Sequence, residues 1–201
     1  MKKKLLGYYD YTVILTYCGM LFAVCGILRV MNQDYWTAAI CLMVAGVCDM
    51  FDGTIAATKK RTDSEKRFGI QIDSLSDLIS FGVLPGIFVY MISGKNTGAG
   101  VVVGFFILCA LIRLAYFNVL EEERQRTTTE KRKSYLGVPV TTVAILLPAV
   151  YLLYDYKICK TGIWFSVLLV FMAIFHRLRL RSRGLSARWA LLFWVLLKWQ
   201  D

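Results

Sequence analysis

The 201-residue sequence has one histidine, no CxxC pair, no internal repeat and no low-complexity linker. His176 stands beside Arg177 at the end of an apolar segment, where an interfacial role is favoured over catalysis. Five of the six cysteines lie inside apolar runs, which favours packing roles over a disulfide framework or a zinc site. The N-terminal apolar stretch has no obvious small-residue cleavage site, so we expect it to be kept as a first span.

Long apolar runs dominate the chain, in which 57% of residues are hydrophobic and the mean hydropathy is +0.54. Several runs approach the roughly 20 residues that a bilayer-spanning helix needs. This pattern favours an all-α integral membrane protein over a soluble helical bundle. We predict a core of six transmembrane helices, at about 9–31, 35–57, 69–93, 98–120, 136–154 and 161–176.

A seventh apolar stretch at 187–199 is short for a full crossing. Its three tryptophans and its lysine are typical of an interfacial helix, and a partial seventh span stays open. We therefore predict a membrane domain over 1–185 and a C-terminal apolar, interfacial helix over 186–201.

The net charge of +10 arises from basic residues in the short segments between apolar runs. This placement indicates membrane orientation and contact with anionic lipid, and it argues against a nucleic-acid partner. Basic residues precede the first predicted span and follow the second, fourth and sixth. The positive-inside rule then puts the N-terminus and segment 57–69 on the cytoplasmic side, and we expect the cell membrane as the location.

Four aspartates stand beside the loop that joins the second and third predicted spans. Asp49 and Asp52 are three residues apart, Asp73 and Asp77 are four apart, and each pair shares a helix face. The two spans should run antiparallel, because a loop of about eleven residues joins them. All four carboxylates are therefore expected to converge at one depth, near the cytoplasmic face.

Four carboxylates cannot stay ionised together in a poorly hydrated site without cations. Their oxygens suit Mg²⁺ or Mn²⁺, and two such ions could hold a diphosphate between them. The small residues Gly53 and Ala56 would let a ligand or a neighbouring helix approach closely. Two alternatives stay open at this point: aspartates paired with Lys or Arg, and an ion pathway in a channel or transporter.

The spacing D49-xx-D52-G53-xx-A56, then G69-xxx-D73-xxx-D77, resembles the signature of the CDP-alcohol phosphatidyltransferase family. Three further segments look like the bacterial and archaeal phosphatidylserine synthase branch of that family. They are "DSLSDLISFGVLPG" at 73–86, "LIRLAYFNV" at 111–119 and "YLGVPVTT" at 135–142.

The resemblance implies a six-helix membrane core, a homodimer, and a polar cavity open to the cytoplasm and to lipid. It implies that Asp49, Asp52 and Asp73 hold two ions of Mg²⁺ or Mn²⁺. Asp77 would be the general base and could also touch a metal ion. The implied reaction moves a phosphatidyl group from CDP-diacylglycerol to the hydroxyl of L-serine and releases CMP.

Seven further residues are predicted to contact substrate, some by the resemblance and some by their polarity within apolar segments. They are Gly53, Ala56, Gly69, Thr12, Arg113, Asn118 and Lys60. The family usually has arginine after the motif alanine, whereas this chain has Ala57. Lys59, Lys60 or Arg61 would have to supply that charge. Arg113, inside the fourth span, is costly there unless it is paired or faces a wet cavity.

Phosphatidylserine synthesis is the leading hypothesis. A first alternative keeps the chemistry with another alcohol, such as glycerol 3-phosphate or an inositol phosphate. A divalent-cation transporter is a second, although no acidic series continues through the spans. An inactive lipid-binding scaffold is a third, raised by Ala57 alone.

Overall fold

A computed structural model describes residues 7–9, 11–59, 61–127, 135–136, 140–157, 163–177 and 181–182. The apolar stretch predicted at 187–199 lies outside these residues, and so does Lys60.

Six helices make up almost all of the described chain. They are α1 (Tyr11–Met31), α2 (Tyr35–Ala56), α3 (Asp63–Ile92), α4 (Thr97–Thr127), α5 (Val143–Asp155) and α6 (Ile163–Arg177). A 3₁₀ turn at Val140–Thr142 leads into α5, and a two-residue strand, Tyr135–Leu136, pairs antiparallel with Arg181–Ser182. The expectation of an all-α core is therefore confirmed.

Helices α1 to α4 are each long and apolar enough to cross a membrane, by length and composition. Helices α5 and α6 are apolar but shorter, so six crossings stay a prediction. Large apolar side chains are exposed on the outside of the bundle, as expected of faces that contact lipid. They include Leu21, Leu28, Ile40, Val101, Leu108, Ile112, Val167 and Ile174.

The bundle is held by close packing, because lipid removes most of the hydrophobic drive that brings helices together in water. Aromatic rings fill its centre, where Phe88 meets Tyr151 edge to face at 5.5 Å between ring centroids. Glycines allow close helix approach elsewhere. A Cβ built on Gly19 would lie 3.1 Å from the Cβ of Cys48, which explains why α1 and α2 pack tightly.

Helix α3 begins earlier than the hydropathy pattern predicts, at Asp63 instead of about residue 69. A capping box fixes this start: the Glu65 amide donates to Thr62 Oγ1 at 3.3 Å, and the Thr62 amide donates to Glu65 Oε2 at 2.7 Å. The loop of about eleven residues predicted between the second and third spans was wrong, because only 57–62 separates the two helices. Gly69 lies inside the helix.

Helix α4 continues to Thr127, so the predicted end of the fourth span at about residue 120 was wrong. Glu121 and Arg124 form an i,i+3 ion pair, with Arg124 Nε donating to Glu121 Oε2 at 3.0 Å. Such pairs support a helix in polar sequence, which hydropathy alone does not detect.

Helix α3 is interrupted by a π-helical segment, Leu78–Val83, directly after Asp77. The Leu84 amide donates to the Ile79 carbonyl five residues back. Pro85 follows at once and has no amide proton, so the regular hydrogen-bond ladder cannot continue through this position. The wider turn carries Asp77 at its start. Single π turns of this kind are frequent at functional sites.

We predict that Gly46→Ala destabilises the protein relative to Gly104→Ala. A Cβ at Gly46 would lie 2.9 Å from the Cβ of Ala144, whereas a Cβ at Gly104 meets no atom within 4 Å. Both changes gain similar helix propensity, and overpacking typically costs about 1–3 kcal/mol. Unfolding of both variants in detergent measures the difference. Equal stability would show that α2 and α5 separate at no cost.

Candidate functional site

The four motif aspartates meet between α2 and α3. Oxygens of Asp49, Asp52 and Asp73 all lie within 4.8 Å of one another. The Asp77 carboxyl interacts with that of Asp49, and the Asp73 carboxyl with that of Asp52. The antiparallel helix pair thus brings the two sequence pairs together at one level of the bundle.

The cluster has no basic partner among the described residues. None of its carboxylates lies within 4.0 Å of a lysine or arginine nitrogen there. Asp52 is buried, the other three are half-buried, and the buried Oδ1 of Asp73 has no hydrogen-bond partner. Within the described residues, the alternative that the aspartates pair with Lys or Arg was wrong. Converging, uncompensated oxygens with an orphaned buried atom fit a hard divalent cation.

Hydroxyl groups from α1 and α3 hold the cluster in place. Thr16 Oγ1 donates to Asp52 Oδ2 at 3.1 Å, and Ser76 Oγ donates to the Thr16 carbonyl at 3.3 Å. These two bonds connect α1, α2 and α3 beside the carboxylates. The orientation of Asp52 therefore depends on a residue of the first helix.

A cavity of about 220 Å³ opens beside Asp52 and Asp73. Four predicted substrate-binding residues line it: Thr12, Gly53, Ala56 and Gly69. A Cβ built on Gly53 would meet no atom within 4 Å, so this position leaves open space next to the carboxylates. The remaining lining residues are Val13, Thr16, Arg61, Ile70 and Glu121.

Arg113 and Asn118 do not line this cavity. Arg113 is buried, with its guanidinium carbon 4.9 Å from the centre of the Phe117 ring. Asn118 Oδ1 accepts a hydrogen bond from Ser74 Oγ at 2.6 Å, which joins α4 to α3. Substrate contacts by these two residues stay predictions, as does that of Lys60, which lies outside the described residues.

Five lining residues were not among the predicted site residues, and three of these are polar or charged: Thr16, Arg61 and Glu121. Arg61 was named only as one of three possible sources of the charge that Ala57 lacks. Thr16 shares a helical face with Thr12, and this spacing was the available signal. Arg61 directly precedes the N-cap residue Thr62, whose capping box fixes the end of the loop. Glu121 was missed because the fourth helix was predicted to end at residue 120.

The fold and site define an α-helical protein with membrane-type helices and a carboxylate-lined cavity. The CDP-alcohol phosphatidyltransferase family model matches residues 11–178, a range that includes all four aspartates and all six described helices. The chain belongs to the CDP-alcohol phosphatidyltransferase family, and the resemblance seen in the sequence is confirmed.

Curated relatives include a CDP-diacylglycerol–serine O-phosphatidyltransferase of Saccharomyces cerevisiae, 35% identical over 60% of this chain and 44% of that protein. An archaetidylserine synthase of Methanothermobacter thermautotrophicus is 35% identical over 57% of this chain and 46% of its own length. A Helicobacter pylori CDP-diacylglycerol–serine O-phosphatidyltransferase is 34% identical with the same coverage. The matches span about half the length of these relatives. No solved structure matches the chain.

We predict that Mn²⁺ stabilises the protein through the aspartate cluster. A ligand that binds only the folded state at about 100 times its Kd adds about 2.7 kcal/mol. Asp73→Asn should lose most of this gain. Without metal it should be more stable than the wild type, because it removes one repelling charge. Thermal unfolding in detergent, with and without Mn²⁺, measures both effects.

The exposed Asp155 provides the matched control, because it lies at the end of α5 away from the cluster. Asp155→Asn should keep the full response to Mn²⁺. A response that survives unchanged in Asp73→Asn would show that Mn²⁺ binds elsewhere.

Proposed function

We propose that the protein is a phosphatidylserine synthase, which transfers a phosphatidyl group from CDP-diacylglycerol to L-serine and releases CMP. One observation carries the proposal: the motif aspartates converge beside a cavity that Asp52 and Asp73 line together with the motif's small residues. The family match and the serine-specific names of two of the relatives support the donor and the acceptor.

Asp49, Asp52 and Asp73 would hold two ions of Mg²⁺ or Mn²⁺. When bound, such ions neutralise the diphosphate and the charge that develops on the leaving CMP. Asp77 takes the proton from the serine hydroxyl. The serine oxygen then forms a bond to the phosphorus that carries the diacylglycerol, and the bond from that phosphorus to the CMP oxygen breaks. Thr16 keeps Asp52 oriented throughout.

The proposal places the cavity at the cytoplasmic face of the cell membrane, within a core of six crossings. The basic residues of segment 57–69 support this orientation through the positive-inside rule. The family resemblance supports a homodimer. Access from both water and lipid would suit a reaction between a soluble amino acid and a membrane lipid.

Serine is preferred over a phosphorylated acceptor because the cavity has little positive charge. Among its described lining residues only Arg61 is basic, and a second phosphate group would call for a further basic cluster. A cation transporter would need a polar path through the bundle. The described aspartates instead gather at one level, against α1.

We predict CMP release with CDP-diacylglycerol, Mn²⁺ or Mg²⁺, and L-serine, and loss of turnover in excess chelator. Asp49→Asn, Asp52→Asn and Asp73→Asn should each abolish activity, because each removes a charged ligand from the cation site. The measurement is CMP release together with the lipid product, for a panel containing serine, glycerol 3-phosphate, an inositol phosphate and other alcohols.

Asp155→Asn should retain wild-type turnover in the same assay. If a phospholipid forms only from glycerol 3-phosphate or only from an inositol phosphate, that alcohol is the acceptor in place of serine. Metal flux into vesicles without any CMP release would favour transport. Full turnover in chelator would exclude the role of the metal ions.

We predict that Asp77→Asn keeps CDP-diacylglycerol and Mn²⁺ binding and loses most turnover. The carboxamide has the same size but cannot accept the proton, and loss of a general base typically costs about 10²–10⁴-fold. Titration of Mn²⁺ against both binding and CMP release separates this role from metal binding. Turnover that returns to near wild type at high Mn²⁺ would make Asp77 a metal ligand in place of the base.

A further inference from the structure

We propose that Arg61 is the side chain that binds the diphosphate of the CDP-linked lipid. This assignment rests on the proposed function and names a binding residue for its donor substrate.

The loop that carries Arg61 is fixed at both ends. At its start, the Thr58 hydroxyl donates to the Ile55 carbonyl at 2.7 Å and lies 3.2 Å from the Tyr11 hydroxyl of α1. At its end, the capping box of Thr62 and Glu65 sets the first turn of α3. Arg61 is the residue directly before that cap, so its backbone position follows from the helix start.

The Arg61 side chain extends along α3 to the motif glycine. A Cβ built on Gly69 would lie 3.0 Å from Arg61 Nη1, so the guanidinium occupies the space that the missing side chain leaves. Arg61 lines the same cavity as Asp52 and Asp73. Of these two aspartates, Asp73 lies one helical turn after Gly69 on α3. The basic group and the metal-binding carboxylates therefore face one volume.

Arg61 forms no ion pair or hydrogen bond to a carboxylate within the part of the chain that the structure describes. Its neighbour Lys59 lies 3.8 Å from Glu65 and does not line the cavity. A half-buried guanidinium that has no counter-ion among the described residues, beside a cluster that requires cations, fits an anionic ligand that bridges the two. The planar fork of arginine matches two phosphate oxygens.

The diphosphate is a better partner for this group than the carboxylate of serine. It carries charge on two phosphorus centres, so one centre can meet the carboxylate-held cations while Arg61 meets an oxygen further along. Thr12 and Gly53 line the same cavity, and the open space at Gly53 leaves room for an extended ligand. A serine carboxylate at Arg61 is the competing outcome of the test.

The test compares Arg61→Gln, Arg61→Lys and Arg67→Gln in the full-length protein at fixed Mn²⁺. Arg67 is exposed on the first turns of α3 and does not line the cavity, so it is the matched control. CMP release is measured against CDP-diacylglycerol in mixed micelles and, separately, against L-serine. Elution from a sizing column and the Tm establish that each variant is folded.

Arg61→Gln should raise the KM for CDP-diacylglycerol by about 10- to 100-fold, as expected for loss of a charge-assisted hydrogen bond. Its kcat and its KM for serine should stay close to wild type. Arg61→Lys should give an intermediate KM, because it keeps the charge and loses the fork. Arg67→Gln should match the wild type.

An active wild type whose KM for CDP-diacylglycerol is unchanged in Arg61→Gln would overturn the assignment. A rise confined to the KM for serine would also overturn it, and would place the acceptor carboxylate at Arg61. A wild type that releases no CMP with any alcohol would instead remove the proposed function. The two failures are therefore distinguishable.

Discussion

Mutual repulsion of four carboxylates is the constraint on which the site depends. Asp49, Asp52, Asp73 and Asp77 are brought together by apolar helices, and no described lysine or arginine neutralises them. Such a cluster opposes folding unless cations enter it. Packing elsewhere must hold the helices against that repulsion. The close contacts of α1 with α2, and the hydroxyl bonds through Thr16, provide that restraint where it is needed.

Helix α3 does most of the positioning. Its capped start fixes the loop before it, and its middle carries two of the four carboxylates. Its π segment then changes the turn directly after Asp77. Ser74 and Ser76, which lie between Asp73 and Asp77 in the chain, attach this helix to α4 and α1. Polar hydrogen bonds hold this helix at the level of the site, and aromatic packing holds it beyond the site. The helix can therefore keep its carboxylates at a fixed spacing while neighbouring surfaces contact lipid.

Much of this arrangement could be predicted from the sequence, because two independent signals, apolar run length and aspartate spacing, agree. Apolar run length marks the helices, and the three- and four-residue spacings place each aspartate pair on one face. The errors have physical causes. Hydropathy ignores polar helix turns, so the start of α3 at Asp63 and the extension of α4 through Glu121 were missed. The Thr16 bond to Asp52 crosses between helices, and one sequence does not encode that pairing in any local pattern.

Gly69 shows how a motif position can act through a neighbour. It lies inside a regular helix, so no unusual backbone angle requires a glycine there. The nearest atom to a Cβ at this position is Arg61 Nη1, the mobile end of a long side chain. An added methyl group would therefore cost little stability and would move the guanidinium. In this chain, where Ala57 stands in place of the family's arginine, the absence of a side chain at 69 helps set where the cavity's positive charge lies. The loop length, the helix cap and the glycine together determine where the Arg61 guanidinium lies.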